Sequence, residues 1–210
     1  MEVVVAVLDS QCSERPSAPR RKKQVLDAAE CCFRRQGFHT TSMAQIAAAA
    51  QMSVGHIYRY FPGKGDIIAA IVERDVSLAL ADFDAVEASE AGVFPALFEQ
   101  WRAKVEKLSE PGRSVMWLEI QAEAARNPGC AQVIRDARTR VCDRLCRLIA
   151  AGAPGRWSAA EIKCKVEMLL LLTDAVAFQV VVDPNHSCEV KGPVSDKSDQ
   201  LLHYVQSMFA

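Results

Sequence analysis

The fold is decided by residues 37–64, which read GFHTTSMAQIAAAAQMSVGHIYRYFPGK. In the first half of this stretch the apolar residues recur every three or four positions, the spacing of one helix face. They are Met43, Ile46, Ala47 and Ala50. Ser42, followed by Gln45 three residues later, forms a capping-box pattern, and Thr41 is the alternative cap. The pattern predicts a short helix that begins at Met43.

A second short helix is predicted directly after the first. Ser53 is a favourable N-cap, Val54, Ile57 and Phe61 form the inward face, and Pro62 with Gly63 ends the segment. A longer amphipathic helix precedes both and ends at Gly37; its apolar stripe is Val25, Ala28, Ala29, Cys32 and Phe33. One longer helix and two short helices joined by a tight turn are typical of a helix-turn-helix unit.

The second short helix has the composition of a surface that reads DNA. It begins with Ser53, Val54 and Gly55, which are too small to fill a core but allow a backbone to approach a duplex closely. Side chains with hydrogen-bonding groups follow at His56, Tyr58, Arg59 and Tyr60. Because a recognition helix presents its N-terminal residues to base edges in the major groove, we expect this helix to lie there.

The distribution of charge supports a basic module joined to an acidic one. The whole chain has 25 basic and 26 acidic residues, a net charge of −1. Between Arg20 and Lys64 there are eight basic and two acidic residues, a net +6, so the other 17 basic and 24 acidic residues give −7. We expect Arg20 to Lys23, and Lys64 at the start of the fourth helix, to lie near phosphates, although such charges are also common on solvated surfaces.

Residues 37–64 closely resemble the DNA-binding module of the TetR family of bacterial transcriptional regulators, in the ungapped spacing of Gly37, Ile46-Ala47, Ser53, Gly55, Tyr58, Phe61 and Lys64. The resemblance implies phosphate contacts from Thr41, Tyr58, Tyr60 and Lys64, and base contacts from Val54, Gly55 and His56. The full DNA-binding set predicted is Thr41, Ser42, Ser53, Val54, Gly55, His56, Tyr58, Arg59, Tyr60 and Lys64. The chain departs from the family at Gln51, where glycine is usual, so a side chain there costs about 1 kcal/mol if φ is positive.

The chain is predicted to be all-α, with about nine helices in three parts. Residues 1–19 are expected to be a flexible arm, 20–64 the helix-turn-helix domain, and 65–210 a helical domain that binds a ligand and dimerises, as the resemblance also implies. The apolar run at the N-terminus lacks the features of a signal peptide, and the apolar stretch from Met168 to Val182 contains Asp174 and is too short for a bilayer. We therefore expect a cytoplasmic protein without a membrane partner.

The apolar composition of the helix from Glu161 to Val182 predicts that the protein is a homodimer. The helix is apolar nearly all round after its first turns, which indicates burial on every side. A last helix over about residues 196–209 can complete a four-helix interface. Such a dimer places two recognition helices about 34 to 36 Å apart, matching a near-palindromic operator in double-stranded DNA.

An effector site is predicted among the middle helices, from a mixture of aromatic and polar residues: Phe83, Phe98, Trp101, Trp117, Glu119 and Gln121. Packing in the core is the competing role for each of them. A small apolar or aromatic effector fits this composition. If Glu119 is buried beside Trp101 or Trp117, a lipophilic cation is the natural ligand. Effector binding is expected to release a repressor from DNA.

Three other classes of function fit the sequence less well. Eight cysteines are expected to be reduced, but Cys142 with Cys146, or Cys31 with Cys32, could sense oxidants while the DNA-binding module is kept. The spacing of Cys142, Cys146, Cys164, His186 and Cys188 is a weak metal pattern, and neither metal nor cofactor is expected. The four histidines have no accompanying nucleophile motif, so an enzyme is the least supported class. The operator, the effector's identity and the sign of regulation stay open.

Overall fold

A computed structural model of the protein describes residues 17–110, 112–182 and 197–210. These residues form nine helices and no strand, which confirms the all-α prediction. The helices are α1 (Ala18–Gln36), α2 (Met43–Ala49), α3 (Val54–Tyr58), α4 (Lys64–Glu87), α5 (Val93–Leu108), α6 (Arg113–Ala124), α7 (Pro128–Gly152), α8 (Ala159–Val182) and α9 (Lys197–Met208).

The two short helices begin where their caps predict. Ser42, rather than Thr41, is the N-cap of α2: its Oγ accepts from the Gln45 N–H at 3.2 Å, and its own N–H donates to Gln45 Oε1 at 2.7 Å. The Ser53 Oγ accepts from the His56 N–H at 3.3 Å and caps α3. Each cap satisfies backbone donors that have no partner within the helix.

The turn between α2 and α3 passes through a left-handed residue. Gln51 has a φ of 53°, the conformation expected where the family usually has glycine. For a residue with a Cβ this conformation costs about 1 to 2 kcal/mol. The Gln51 side chain is exposed. The turn therefore carries the energetic cost of the left-handed backbone at this residue.

Apolar side chains form two clusters, and α4 belongs to both. The first half of α4, including Ile67 and Ile71, packs with α1, α2 and α3, whereas Phe83 and Val86 pack with α5, α7, α8 and α9. A shift of α4 therefore acts on both parts of the molecule. The boundary predicted at residues 64 and 65 lies at the start of this shared helix.

The N-terminal boundary differs slightly from the predicted one. Helix α1 begins at Ala18, so the last two residues of the arm predicted over 1–19 are helical. Residues 1–16 and the metal candidates His186 and Cys188 lie outside the described residues.

An ion-pair network fixes α4 to α1. The Arg74 guanidinium of α4 lies 2.8 Å from Glu30 Oε1 and 3.5 Å from Asp27 Oδ1, both on α1, and 2.9 Å from its neighbour Asp75. Burial opposes the charged form of Arg74, but hydrogen bonds to Glu30 and Asp75 outweigh it and raise the Arg74 pKa. The first helix and α4 are thereby held at a fixed position relative to each other.

Asp174, the charged residue in the middle of the apolar helix α8, forms an ion pair. Asp174 Oδ2 accepts from the Arg138 guanidinium of α7 at 2.9 Å. Among the helices that the structure describes, none is both long and apolar enough to cross a membrane.

Candidate nucleic-acid interface

One side of α3 is buried and the other is open. Ile57 is fully buried in the first apolar cluster, whereas Tyr58 is 50% exposed. A Cβ built on Gly55 meets no atom within 4 Å. Val54 is 37% exposed, so it lies on the open side rather than on the inward face predicted for it. The N-terminal part of α3 is therefore accessible to a large partner.

Two aromatic side chains on α3 and its C-terminal extension contact each other. Tyr60 Oη lies 3.3 Å from His56 Nε2, and the ring centroids are 5.3 Å apart with the planes tilted by 39°. Both residues are half-buried, and the neighbouring Arg59 is exposed. The hydroxyl of Tyr60, which is predicted to contact phosphate, lies within hydrogen-bonding distance of His56 in the free protein.

Thr41 departs from the role predicted for it. Its side chain is 1% exposed, and its Oγ1 donates to the Gly37 carbonyl at 2.7 Å while accepting from Gln36 Nε2 at 3.2 Å. Both bonds close the turn between α1 and α2. The hydroxyl is thus a structural group of the turn and not a phosphate contact, whereas the neighbouring Ser42 is exposed and Ser53 is exposed as well.

Lys64 joins the first turn of α4 to the turn after α1. Its Nζ donates to the carbonyls of Phe38, at 2.6 Å, and His39, at 3.2 Å, and lies 4.5 Å from the centroid of the Phe38 ring. Burial lowers the pKa of Lys64, and the carboxylate of Glu123 partly opposes this shift. An ammonium group has three N–H donors, and the two carbonyls accept from two of them.

A basic groove of about 560 Å³ runs along α1 beside the end of α2. Arg20, Arg21 and Lys23 line it together with Asp27 and Ala49. Lys23 Nζ is already paired with Asp27 at 2.6 Å, and Arg21 donates to Gln24 at 3.3 Å. Arg20 and Lys22 are exposed, so both are accessible to a phosphate.

The structure separates the six residues predicted around an effector. Phe83 and Trp101 are buried in the second apolar cluster, and Phe98 stacks near Phe209 at 5.9 Å between ring centroids. Glu119 instead accepts from the Phe38 N–H at 3.2 Å and so faces the first cluster. Because successive helix residues are rotated by about 100°, Trp117 and Gln121 point to the opposite side of α6 from Glu119.

This arrangement bears on the expectation of a cationic effector, which depended on Glu119 lying beside Trp101 or Trp117. The Glu119 carboxylate is committed to the Phe38 backbone, and the Trp101 indole N–H donates to Thr173 Oγ1 at 2.9 Å. Carboxylate and indole ring therefore face different parts of the molecule. The specific reason for expecting a lipophilic cation is removed.

Gln100 on α5 is a polar residue that the sequence interpretation missed. Its Oε1 is buried and has no hydrogen-bond partner among the described residues. The signal was present, because Gln100 follows Leu97 by three residues on a helix whose buried face includes Leu97 and Trp101. A polar residue at such a position marks a candidate ligand contact.

Cys146, one member of the cysteine pair on α7, is poorly suited to oxidation. Burial, followed by the neighbouring Cys142, raises the pKa of Cys146 to about 11, which keeps the thiol protonated. Burial also raises the pKa of Cys32, whose neighbour Cys31 is exposed. Within the described part of the chain, no group of three or more His, Cys, Asp or Glu side chains is placed to hold a metal ion.

Known proteins resemble this chain in sequence and in fold. The transcriptional regulator UidR of Escherichia coli (strain K12) is 28% identical over 125 residues, which are 58% of this chain and 61% of UidR. The transcriptional repressor KstR of Mycobacterium tuberculosis is 30% identical over 105 residues, 50% of this chain and 46% of KstR. The matches thus span less than two thirds of either relative.

The solved structure of Salmonella enterica GusR has the same fold along nearly the whole chain. It is 24% identical, covers 92% of this chain and 97% of its own, and gives a TM-score of 0.70. Residues 25–71 match the family model described as bacterial regulatory proteins, tetR family. This range contains α2, α3 and the start of α4, the elements that form the open surface. The N-terminal part of the chain is therefore similar to bacterial regulatory proteins of the tetR family, and the fold of nearly the whole chain is that of GusR.

Proposed function

We propose that the protein is a transcriptional regulator that binds a DNA operator as a homodimer and acts as a repressor. The observation that carries the proposal is the two-sided character of α3, in which Ile57 is fully buried while Gly55 opens onto space. A short helix anchored on one side and open at its N-terminal end fits the major groove. KstR, which shares 30% identity over part of its length, is named a repressor.

The base-reading and phosphate-binding groups of the proposal are those left open around α3. Val54, Gly55, His56 and Arg59 face the bases, and Tyr58 with the third donor of Lys64 faces phosphates. Ser42 and Ser53 hold the helix starts and are exposed beside them. Phosphate contacts position the helix and base contacts determine which sequence is bound.

An apolar stripe on α8 supports the homodimer. Its exposed side chains are Met168 (44%), Leu171 (55%), Phe178 (56%), Val181 (37%) and Val182 (62%). Tyr204 on α9 is 58% exposed. These positions recur at helical spacing, and burial against the same stripe of a second copy removes them from water. The resulting two-fold dimer presents two α3 helices to a near-palindromic operator.

The effector site of the proposal lies in the second apolar cluster, near Phe98, Trp101 and Gln100. The effector is a small apolar or aromatic molecule, and the unpaired Oε1 of Gln100 favours one that carries a hydrogen-bond donor. Because α4 packs into both clusters, a ligand that moves the Phe83 end of α4 changes the separation of the two α3 helices. Release from DNA needs only a difference in effector affinity between two states, typically 1 to 3 kcal/mol.

Selection of bound sequences from random double-stranded DNA tests the proposal. The expected result is two inverted half-sites whose centres are one helical turn, or a multiple of it, apart, with affinity that falls steeply as salt rises. The Gly55→Asp variant places a negative charge on the open end of α3, where an acidic residue suits the helix dipole and meets no atom. We expect it to fold normally and lose DNA binding.

The matched control is Leu78→Glu, a charge placed on an exposed residue of α4. We expect it to bind the selected operator as the unmodified protein does. Selection of no sequence, or equal binding by the Gly55→Asp variant, contradicts the proposal.

A further inference from the structure

The contact between His56 and Tyr60 has a consequence for which bases the protein reads. The two residues are four apart, on the same side of the recognition segment, and His56 Nε2 and Tyr60 Oη lie 3.3 Å apart. His56 is the central polar residue of α3, between the open Gly55 and the buried Ile57. Because Tyr60 holds the His56 imidazole at this position, the ring is pre-organised to contact DNA.

The direction of this hydrogen bond determines what His56 offers to DNA. A neutral imidazole has one nitrogen that donates and one that accepts. A phenol O–H is a more acidic donor than an imidazole N–H, and an imidazole nitrogen is a more basic acceptor than a phenol oxygen. The stronger pairing is therefore Tyr60 Oη–H donating to His56 Nε2, which leaves the ring proton on Nδ1.

We propose that Tyr60 is a positioning residue that holds His56 in the Nδ1–H form, and that His56 thereby reads a guanine in each half-site. The inference rests on the proposed DNA binding. In this form the free ring nitrogen is a donor only. Tyr60 acts through His56, although the family resemblance assigns it to phosphate.

The chemistry of the major groove favours guanine for such a donor. Guanine presents two acceptors, N7 and O6, side by side, whereas cytosine presents only a donor. Adenine places a donor beside its N7 acceptor, and thymine places a methyl group beside its O4. A single N–H donor is thus attracted to the guanine edge and repelled by the cytosine edge.

The test uses the full-length protein and the operator obtained by selection. Each guanine of a half-site is replaced in turn by 7-deazaguanine, which lacks the N7 acceptor, and affinity is measured by fluorescence anisotropy at one fixed salt concentration. We expect one guanine per half-site at which this replacement weakens binding about tenfold. For the His56→Ala variant the same replacement has no effect.

The Tyr60→Phe variant separates positioning from packing, because it keeps the ring and removes only the hydroxyl. We expect it to keep the fold and bind the operator, but to discriminate less between guanine and adenine at the same position. Nitrogen chemical shifts of the His56 ring should show a single tautomer in the unmodified protein and a mixture in Tyr60→Phe. Tyr58→Phe serves as the control; it should leave both the discrimination and the tautomer unchanged.

The outcomes distinguish the two proposals. If no sequence is selected, the proposed function fails, and this inference fails with it. If an operator is selected but His56→Ala responds to 7-deazaguanine as the unmodified protein does, the inference is wrong while DNA binding stands. Unchanged ring nitrogen shifts in Tyr60→Phe also overturn the role given to Tyr60.

Discussion

The carboxylate of Glu119 in α6 accepts a hydrogen bond from the backbone N–H of Phe38, 3.2 Å away. Phe38 lies in the turn between α1 and α2, so the bond crosses 81 residues of sequence to join the DNA-binding module to the rest of the molecule. On the other side of the same turn, Lys64 binds the Phe38 carbonyl. Glu119 of α6 therefore holds the turn through the Phe38 N–H, and Lys64 of α4 holds it through the Phe38 carbonyl.

Removing the Glu119 carboxylate should loosen this turn. In a Glu119→Ala variant the Phe38 N–H loses a charged acceptor, which typically contributes about 1.5 to 3 kcal/mol. Hydrogen exchange measured by nuclear magnetic resonance should become faster at the Phe38 amide, while amides in the middle of α7 exchange as before. Glu119→Gln keeps an acceptor oxygen and should be intermediate. Unchanged Phe38 exchange in Glu119→Ala would contradict the assigned contact.

Replacing Gln51 by glycine should stabilise the protein. Gln51 has a φ of 53°, where a Cβ is strained and glycine is not. We expect Gln51→Gly to raise the free energy of unfolding by about 1 kcal/mol, which for a chain of this size raises the melting temperature by about 2 to 4 °C. Gln51→Ala keeps the strained Cβ and should melt near the unmodified protein, so an equal gain in both variants would refute the explanation.

The parts of the fold that the sequence predicted well are those set by local interactions. The capping box and apolar stripe of α2, and the Ser53 cap of α3, involve residues within one or two turns of each other, so their spacing is visible in the sequence. The positive φ at Gln51 could likewise be anticipated, because this single position departs from the glycine that is usual in the family. For such features the tertiary structure adds little.

Thr41 and Glu119 were misplaced because their partners depend on tertiary structure. Thr41 can cap a helix, but the turn after α1 brings its hydroxyl to the Gly37 carbonyl instead. Glu119 shares α6 with Trp117, and the sequence does not indicate which face of α6 meets α1. The partner of Glu119, Phe38, is known only once the two modules are packed together.

A charge on the apolar stripe of α8 should separate the dimer. Phe178 is 56% exposed in a single copy, and burying a charged residue without a partner at its position is costly. We expect Phe178→Glu to sediment as a monomer at micromolar concentration and to bind the operator weakly, because only one α3 engages at a time. Leu78→Glu, a charge on a similarly exposed residue of α4, should stay dimeric. A Phe178→Glu protein that still sediments as a dimer would show that the stripe is not the interface.

The thiol of Cys146 on α7 should resist modification at neutral pH. With the pKa of Cys146 at about 11, only about one molecule in ten thousand carries the reactive thiolate at pH 7. The folded state favours the protonated thiol, so modification should accelerate as the pH rises towards 11. Mass spectrometry after iodoacetamide treatment at pH 7 should find the exposed Cys31 and Cys164 labelled well before Cys146. Early labelling of Cys146, or release of DNA by peroxide that Cys146→Ala abolishes, would favour the thiol-sensing alternative.

The buried Oε1 of Gln100 should bind a ligand, but it should destabilise the protein that has no ligand bound. Its Oε1 is buried without a partner in the described structure, and such a group typically costs about 1 to 3 kcal/mol. Replacing it by leucine, which has a similar volume and no polar atom, should therefore raise the free energy of unfolding measured with urea. Gln100→Glu buries a carboxylate at the same place and should lower it. If Gln100→Leu is instead less stable than the unmodified protein, the amide has a structural partner, and the proposed hydrogen bond to an effector loses its basis.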